Sequence, residues 1–201
     1  MEDAMMHVVS YGIAGGALAN VVAMVSKPEA EGTEYDGPSV SHCSGQEVRD
    51  QYEGWEPEVI DLLKYVENPM KWAIHQLRPL PTYIDENVAL VGDAAHGMTP
   101  HQGAGAGQAI EDAYVLAGLL GHPSTTVDTL SRALEVYDQI RRPFANSIVD
   151  GSKLSGMMYE FNSVHGENYE VLGPAIERQW DWHLSSAAEM GHTISCNFQF
   201  D

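Results

Sequence analysis

The chain has 201 residues, 44% of them hydrophobic, which is enough to bury the core of one or two domains and too apolar for a disordered chain. A formal charge of −19 argues against nucleic acid, whose phosphates it would repel, and against an anionic membrane surface. The two cysteines, Cys43 and Cys196, are far apart and lack CxxC spacing, so neither a disulfide framework nor a zinc knuckle is implied.

Short runs rich in β-branched and other apolar residues predict strands over residues 6–11 and 18–25. In the first, His7, Val9 and Tyr11 share one face by the period of two. An isolated His and Tyr in such a place more often cap a sheet than face a ligand. Residues 26–45, with Pro28, Gly32, Gly37 and Pro38, read as an acidic surface loop. Pro57 suits a helix start, and Val59, Leu62, Leu63 and Val66 make an apolar stripe that Asn68-Pro69 ends. Residues 72–77 read as a further strand. The longest apolar stretches, residues 15–25 and 113–121, are too short to span a bilayer, and no basic segment precedes a signal-like core. A cytoplasmic location is expected.

The most informative segment is residues 87–120, NVALVGDAAHGMTPHQGAGAGQAIEDAYVLAGLL. Residues 88–91 predict a buried strand that stops at Gly92, which sets Asp93 just past a strand's carboxyl end, where open α/β sheets bind ligands. A lone carboxylate there can accept hydrogen bonds from sugar-type hydroxyls. Further on, Gly103, Gly105 and Gly107 lead into a helix, so backbone N–H groups with the helix dipole behind them can approach an anionic or carbonyl-rich ligand. The pattern is GxGxG, lies well beyond the strand and is followed by no lysine, which excludes both a dinucleotide fingerprint and a Walker A loop. In the helix, Ile110, Ala113, Tyr114 and Ala117 mark the expected buried face, with Glu111 and Asp112 outward. A second helix over residues 128–141 carries Leu130, Leu134, Tyr137 and Ile140, and Pro143 is expected to break or kink it. Asp93, His96 and His101 together imitate a metal set, but the separations are not those of a helical pair and the glycine-helix unit would have no part in it, so no metal is expected.

The string GDAAHGMTPHQGAGAGQAIEDAYVLAGLL closely resembles the second flavin motif of FAD-dependent aromatic hydroxylases of the salicylate-hydroxylase-like group. HVVSYGIAGGALANVVAMV resembles that family's substrate-domain strand pair, and ALEVYDQIRRPFANSIVDGSKLSG its long carboxyl-terminal helix region with an Arg-Arg-Pro step. The resemblance implies FAD as cofactor, NAD(P)H as reductant, O2 as oxidant and a small phenolic or aromatic substrate. It implies that Gly92 and Asp93 form the cofactor-binding Gly-Asp step, with Asp93 holding hydroxyls of the flavin side chain, and that Pro100, Gly103, Ala104, Gly105, Ala106 and Gly107 cradle the flavin ring. It further implies that His7 and Tyr11 face the substrate and that His101 orients substrate or adjusts protonation beside the ring.

The implied fold class is mixed α/β: a partial FAD-binding fold with part of a substrate-domain sheet and carboxyl-terminal helices. Residues 1–80 would belong to the substrate domain and residues 81–201 to the FAD-binding domain. The family's amino-terminal GxGxxG does not occur in these residues, so the resemblance covers the carboxyl-terminal half of a member. The alternative expectation is a non-catalytic remnant, or half of a split flavoprotein completed by a partner chain with the ADP-binding half. Gly12 stands in place of the family's proline, Ala14 in place of a basic residue, and the tail after Trp182 leaves the family pattern.

Overall fold

The computed structural model describes residues 5–182 and divides between Ile74 and His75 into two compact units. Cys196 and the tail beyond Trp182 lie outside the described residues. Among the described residues no helix is long and apolar enough to cross a membrane.

The first unit is built on an antiparallel ribbon, β1 (Met5–Ile13) and β2 (Leu18–Ser26), in register from Met5 opposite Ser26 to Ile13 opposite Leu18. The turn between them passes through Gly15 and Gly16 at φ 66° and 90°, a conformation that favours residues without a β-carbon. The ribbon is buried only at its open end. His7 is 9% exposed, whereas Tyr11, on the same face, is 54% exposed. Tyr52, itself buried, donates its phenol proton to the carbonyl of Met24 at 2.7 Å and so braces that end.

Two features of this unit differ from expectation. The acidic loop contains a short strand, β3 (Val40–His42), and its partner β4 (Met70–Trp72) lies earlier than the strand expected over residues 72–77. Three-residue strands are too short to show alternation. A helix that composition did not suggest, α1 (Gly45–Gln51), opens on a capping box: Ser44 Oγ accepts from Glu47 N at 3.1 Å and Glu47 Oε2 accepts from Ser44 N at 2.7 Å. Next, α2 (Pro57–Leu63) begins at its proline as expected and buries Leu63 completely.

The second unit carries the glycine-lined loop on helices. The strand expected over residues 88–91 is only β6 (Val88–Ala89), one arm of a tight hairpin with β5 (Ile84–Asp85). Val88 is 62% exposed, so the apolar run is not a buried central strand; among the described residues it meets no second partner strand. The chain then enters α3 (Asp93–His96), a 3-10 turn at Pro100–Gln102, and α4 (Gly105–Leu120). Two more helices follow, α5 (Leu130–Tyr159) and α6 (Tyr169–Arg178). The core joins Tyr83, Ala95, Val115 and Leu119 to Ala133, Val136, Tyr137 and Ala145 of α5. Burying Val115 and Leu119 contributes about 1.5–3 kcal/mol each.

The amphipathic sense of α4 is the reverse of the expected one. Ile110 and Tyr114 are 70% and 69% exposed, while Gln108, Asp112, Val115 and Leu119 face inward, with Asp112 fully buried. Hydropathy failed because the inward polar groups are matched by an arginine on the facing helix. Pro143 also fails to break α5, which continues to Tyr159. Its missing N–H frees the carbonyl of Gln139, and both residues lie on the exposed side, where water can satisfy that oxygen.

Candidate functional site

Asp93 is the first residue of α3 and is exposed. The turn that delivers it needs a glycine, because Gly92 sits at φ 59° and ψ −140°. The carbonyl of Gly92 accepts from the amides of Ala95 and His96, each at 2.9 Å, which starts the helix. A cleft of about 260 Å³ opens beside the carboxylate, walled by Asp93, Gly97, Met98, His75, Gln76 and Leu77. The Leu77 amide bonds the Gly97 carbonyl at 2.9 Å and closes one side of it.

The loop that follows ends at an open helix head. Gly103 adopts the left-handed conformation at φ 60°, which turns the chain from the Pro100–Gln102 turn into α4. No side chain caps α4, and no acidic residue occupies its first turn. The amides of Gly105, Ala106 and Gly107 therefore carry the positive end of the helix without a built-in partner carboxylate. Ala106 and Gly107 are exposed, and a β-carbon at Gly103 or Gly107 would meet nothing within 4 Å, so the space in front of this head is open. Ala104 is buried beneath it.

Behind the loop lies a charged network that sequence reasoning missed. The Arg141 guanidinium, fully buried on α5, donates from Nε to Asp112 Oδ1 at 2.8 Å and from Nη1 to Glu111 Oε2 at 2.8 Å. From Nη2 it donates to Gln108 Oε1 at 2.7 Å. The other oxygen of Asp112 accepts from the Gly92 amide at 2.9 Å and lies 2.6 Å from His96 Nε2. Burial alone would push the Asp112 carboxyl up, but the donors of His96, Gly92 and Arg141 outweigh it and hold the group below the usual carboxylate range. Two phenols nearby move the other way. Burial and the Asp112 charge raise Tyr83 to about 12, and the same two causes raise Tyr137 further. A signal for this network was present: Arg141 falls on the Leu134–Tyr137–Ile148 stripe of α5 and Asp112 on the Gln108–Val115–Leu119 stripe of α4, opposite charges on two faces that are otherwise buried.

The Pro100–Gln102 turn is fastened separately to α5. Ser152 Oγ donates to the Thr99 carbonyl at 2.6 Å, and Gln102 Nε2 donates to Ser155 Oγ at 3.0 Å. The His101 ring lies against Gly156, where a β-carbon would fall 2.4 Å from Nε2, and it meets Tyr159 edge-on at 6.4 Å. The structure thus brings Gly92, Asp93, Pro100 and residues 103–107 into one assembly, with His101 turned to the α5 side of it. His7 and Tyr11 belong to the first unit. His96, weighed above as a metal ligand, points at Asp112, and no group of three or more metal-ligating side chains occurs among the described residues.

A family profile for the FAD binding domain matches residues 63–152. A salicylate hydroxylase from Pseudomonas putida is 41% identical over 179 residues, which cover 88% of this chain and 41% of that protein. A 6-methylsalicylate 1-monooxygenase from Aspergillus terreus is 36% identical over 156 residues, covering 77% of this chain and 34% of the relative. The solved structure of a salicylate hydroxylase substrate complex superposes with a TM-score of 0.90 at 34% identity, over 98% of this chain and 48% of that one. The chain therefore spans less than half the length of these relatives.

Proposed function

Because this chain belongs to the FAD-dependent aromatic hydroxylase family, we propose that it serves a cytoplasmic monooxygenase that hydroxylates a small phenolic aromatic with NAD(P)H and O2. The relatives named for salicylate and 6-methylsalicylate point to an aromatic ring bearing both a hydroxyl and a carboxylate. The balance is one NAD(P)H, one proton, one O2 and one aromatic C–H giving NAD(P)+, water and the hydroxylated ring.

The observation that carries this reading is the pairing of an exposed carboxylate, Asp93, with an uncapped, glycine-lined helix head whose approach is open. These residues fit FAD. Asp93 would accept hydrogen bonds from hydroxyls of the flavin side chain, with Gly92 shaping the turn that presents it. Pro100, Gly103, Ala104, Gly105, Ala106 and Gly107 would border the flavin ring, and the first-turn amides of α4 favour negative charge on it. FAD held there would supply the hydride-accepting and O2-activating chemistry. The protein's own part is to bind, orient and manage protons. His7 and Tyr11 are proposed to engage the substrate hydroxyl, a histidine being suited to accept a phenol proton near neutral pH. His101, whose ring packs on the α5 side of the loop, is proposed to orient substrate or adjust protonation from there.

Asp93→Ala tests the reading directly. FAD affinity, measured by quenching of flavin fluorescence, is expected to fall about 10- to 100-fold, the worth of one or two charge-assisted hydrogen bonds. Unchanged affinity would remove Asp93 from the flavin site.

A second reading rests on the length of the match. Less than half of each relative is covered, and no GxGxxG occurs in the chain. In that reading a partner chain supplies the ADP-binding half, and co-purification of a GxGxxG-bearing polypeptide would support it. Sustained NAD(P)H oxidation by these 201 residues with added FAD would instead dispose of both the partner requirement and an inert remnant.

A further inference from the structure

We propose that Asp112 is a positioning residue for flavin binding: its single carboxylate sets the spacing between the Gly92–Asp93 turn and the glycine-lined head of α4. The inference rests on the flavin reading of Asp93 and goes beyond it, because Asp112 is fully buried and presents no surface to a ligand.

Three elements converge on this one group. Oδ2 takes the Gly92 amide and His96 Nε2, both from the turn and short helix that carry Asp93. Oδ1 takes Nε of Arg141 from α5. Asp112 itself belongs to α4, seven residues beyond Gly105, so about two rigid turns separate it from the helix head. The two polar groups of the Gly92 peptide unit are thereby divided: its carbonyl starts α3, and its amide is held by Asp112. Turn and helix meet closely, since a β-carbon on Gly92 would lie 3.3 Å from Cβ of Ala109.

A carboxylate is needed because one oxygen must accept two donors while the other accepts a guanidinium, and an amide offers only one accepting oxygen. Arg141 also donates to the same stretch of α4, at Gln108 and Glu111, and so holds the helix while Asp112 holds the turn. Glu111 shares the arginine but makes no bond to Gly92, which makes it the natural control.

The test is a double-mutant cycle on FAD affinity with Asp93→Ala, Asp112→Asn and the pair, alongside melting of each apo protein. Positioning predicts that each single change weakens FAD at least about 10-fold and that the double variant binds within about threefold of Asp93→Ala alone. Glu111→Gln, which leaves Arg141 its bonds to Asp112 and Gln108, should cost less than about threefold in affinity. Multiplied losses in the double variant, or a lowered melting temperature with FAD affinity intact in Asp112→Asn, would overturn the proposal and leave the flavin reading standing. An unaltered affinity in Asp93→Ala would instead take down the flavin reading, and the proposal with it. If Asp112→Asn does not fold, Asp112→Glu carries the same cycle, with charge kept and the carboxylate displaced by one methylene. Without FAD, amide exchange reads the same contact: Asp112→Asn should speed exchange at Gly92 and over residues 93–97 more than in α5, and uniform acceleration counts against positioning.

Discussion

Replacing Arg141 by methionine should cost the second unit about 3–5 kcal/mol of stability, the usual penalty for leaving a buried carboxylate without its counter-charge. Both side chains of the Arg141–Asp112 pair are wholly inaccessible, so no water can stand in for the lost guanidinium. Removing both charges together, in Asp112→Leu with Arg141→Met, should recover a good part of that loss, because the desolvation cost disappears along with the attraction. Urea unfolding of the three proteins measures this. A loss below about 1 kcal/mol in Arg141→Met would mean that Asp112 finds another partner or takes up a proton at little cost.

Alkaline pH should unfold the protein steeply from about pH 10 upward. Tyr83 is raised to about 12 by burial and by Asp112, and Tyr137 is raised further, so the folded chain keeps protons that the unfolded chain releases. Their contribution is complete below the ordinary phenol value and is lost as pH climbs through the folded one. For Tyr83 alone the swing is on the order of 2–3 kcal/mol. Asp112 works in the opposite direction: its folded carboxyl is depressed, so its contribution stands above the ordinary carboxylate value and is lost as pH falls through the folded one, below about pH 4. Stability profiles of the parent and of Tyr137→Phe check the alkaline limb. The variant loses one hydrogen bond, from the phenol to the Leu90 carbonyl, but should show a shallower fall. An equally steep fall would remove Tyr137 as a cause.

The ribbon, the glycine-lined helix entry and the long helical region were readable because each has local chemistry: a run of β-branched and other apolar residues over 6–11, glycine at the positive φ of Gly103, and three- and four-residue steps through Leu134 and Tyr137. Asp93 and residues 103–107 were likewise legible, as a turn carboxylate and a helix head. What escaped was long-range. Asp112 read as an outward charge because hydropathy cannot see that Arg141, 29 positions later, packs across from it. Pro143 read as a break or a kink, and the helix does not break there because the proline lies on its wet side, which sequence does not reveal. The apolar run over residues 88–91 read as a buried strand because runs of that length are ambiguous until partners are known, and here the pairing is a two-residue hairpin.

The unbroken course of α5 through Pro143 also decides where the chain can change length. Arg141, which holds α4, and Ser152 and Ser155, which hold the Thr99–Gln102 turn, ride one helix at separations of 11 and 14 residues, close to whole numbers of turns. The loop is thus gauged by helix pitch and not by its own residues. One residue inserted between Arg141 and Ser152 would swing the two serines by about 100° away from the turn, or else the arginine away from α4. The same insertion in the segment between Leu120 and Leu130, which precedes Arg141, Ser152 and Ser155 alike, leaves their spacing intact. Between the loop and Ser155, that connection is therefore a place where length can vary, whereas the stretch of α5 from Arg141 to Ser155 tolerates substitution only.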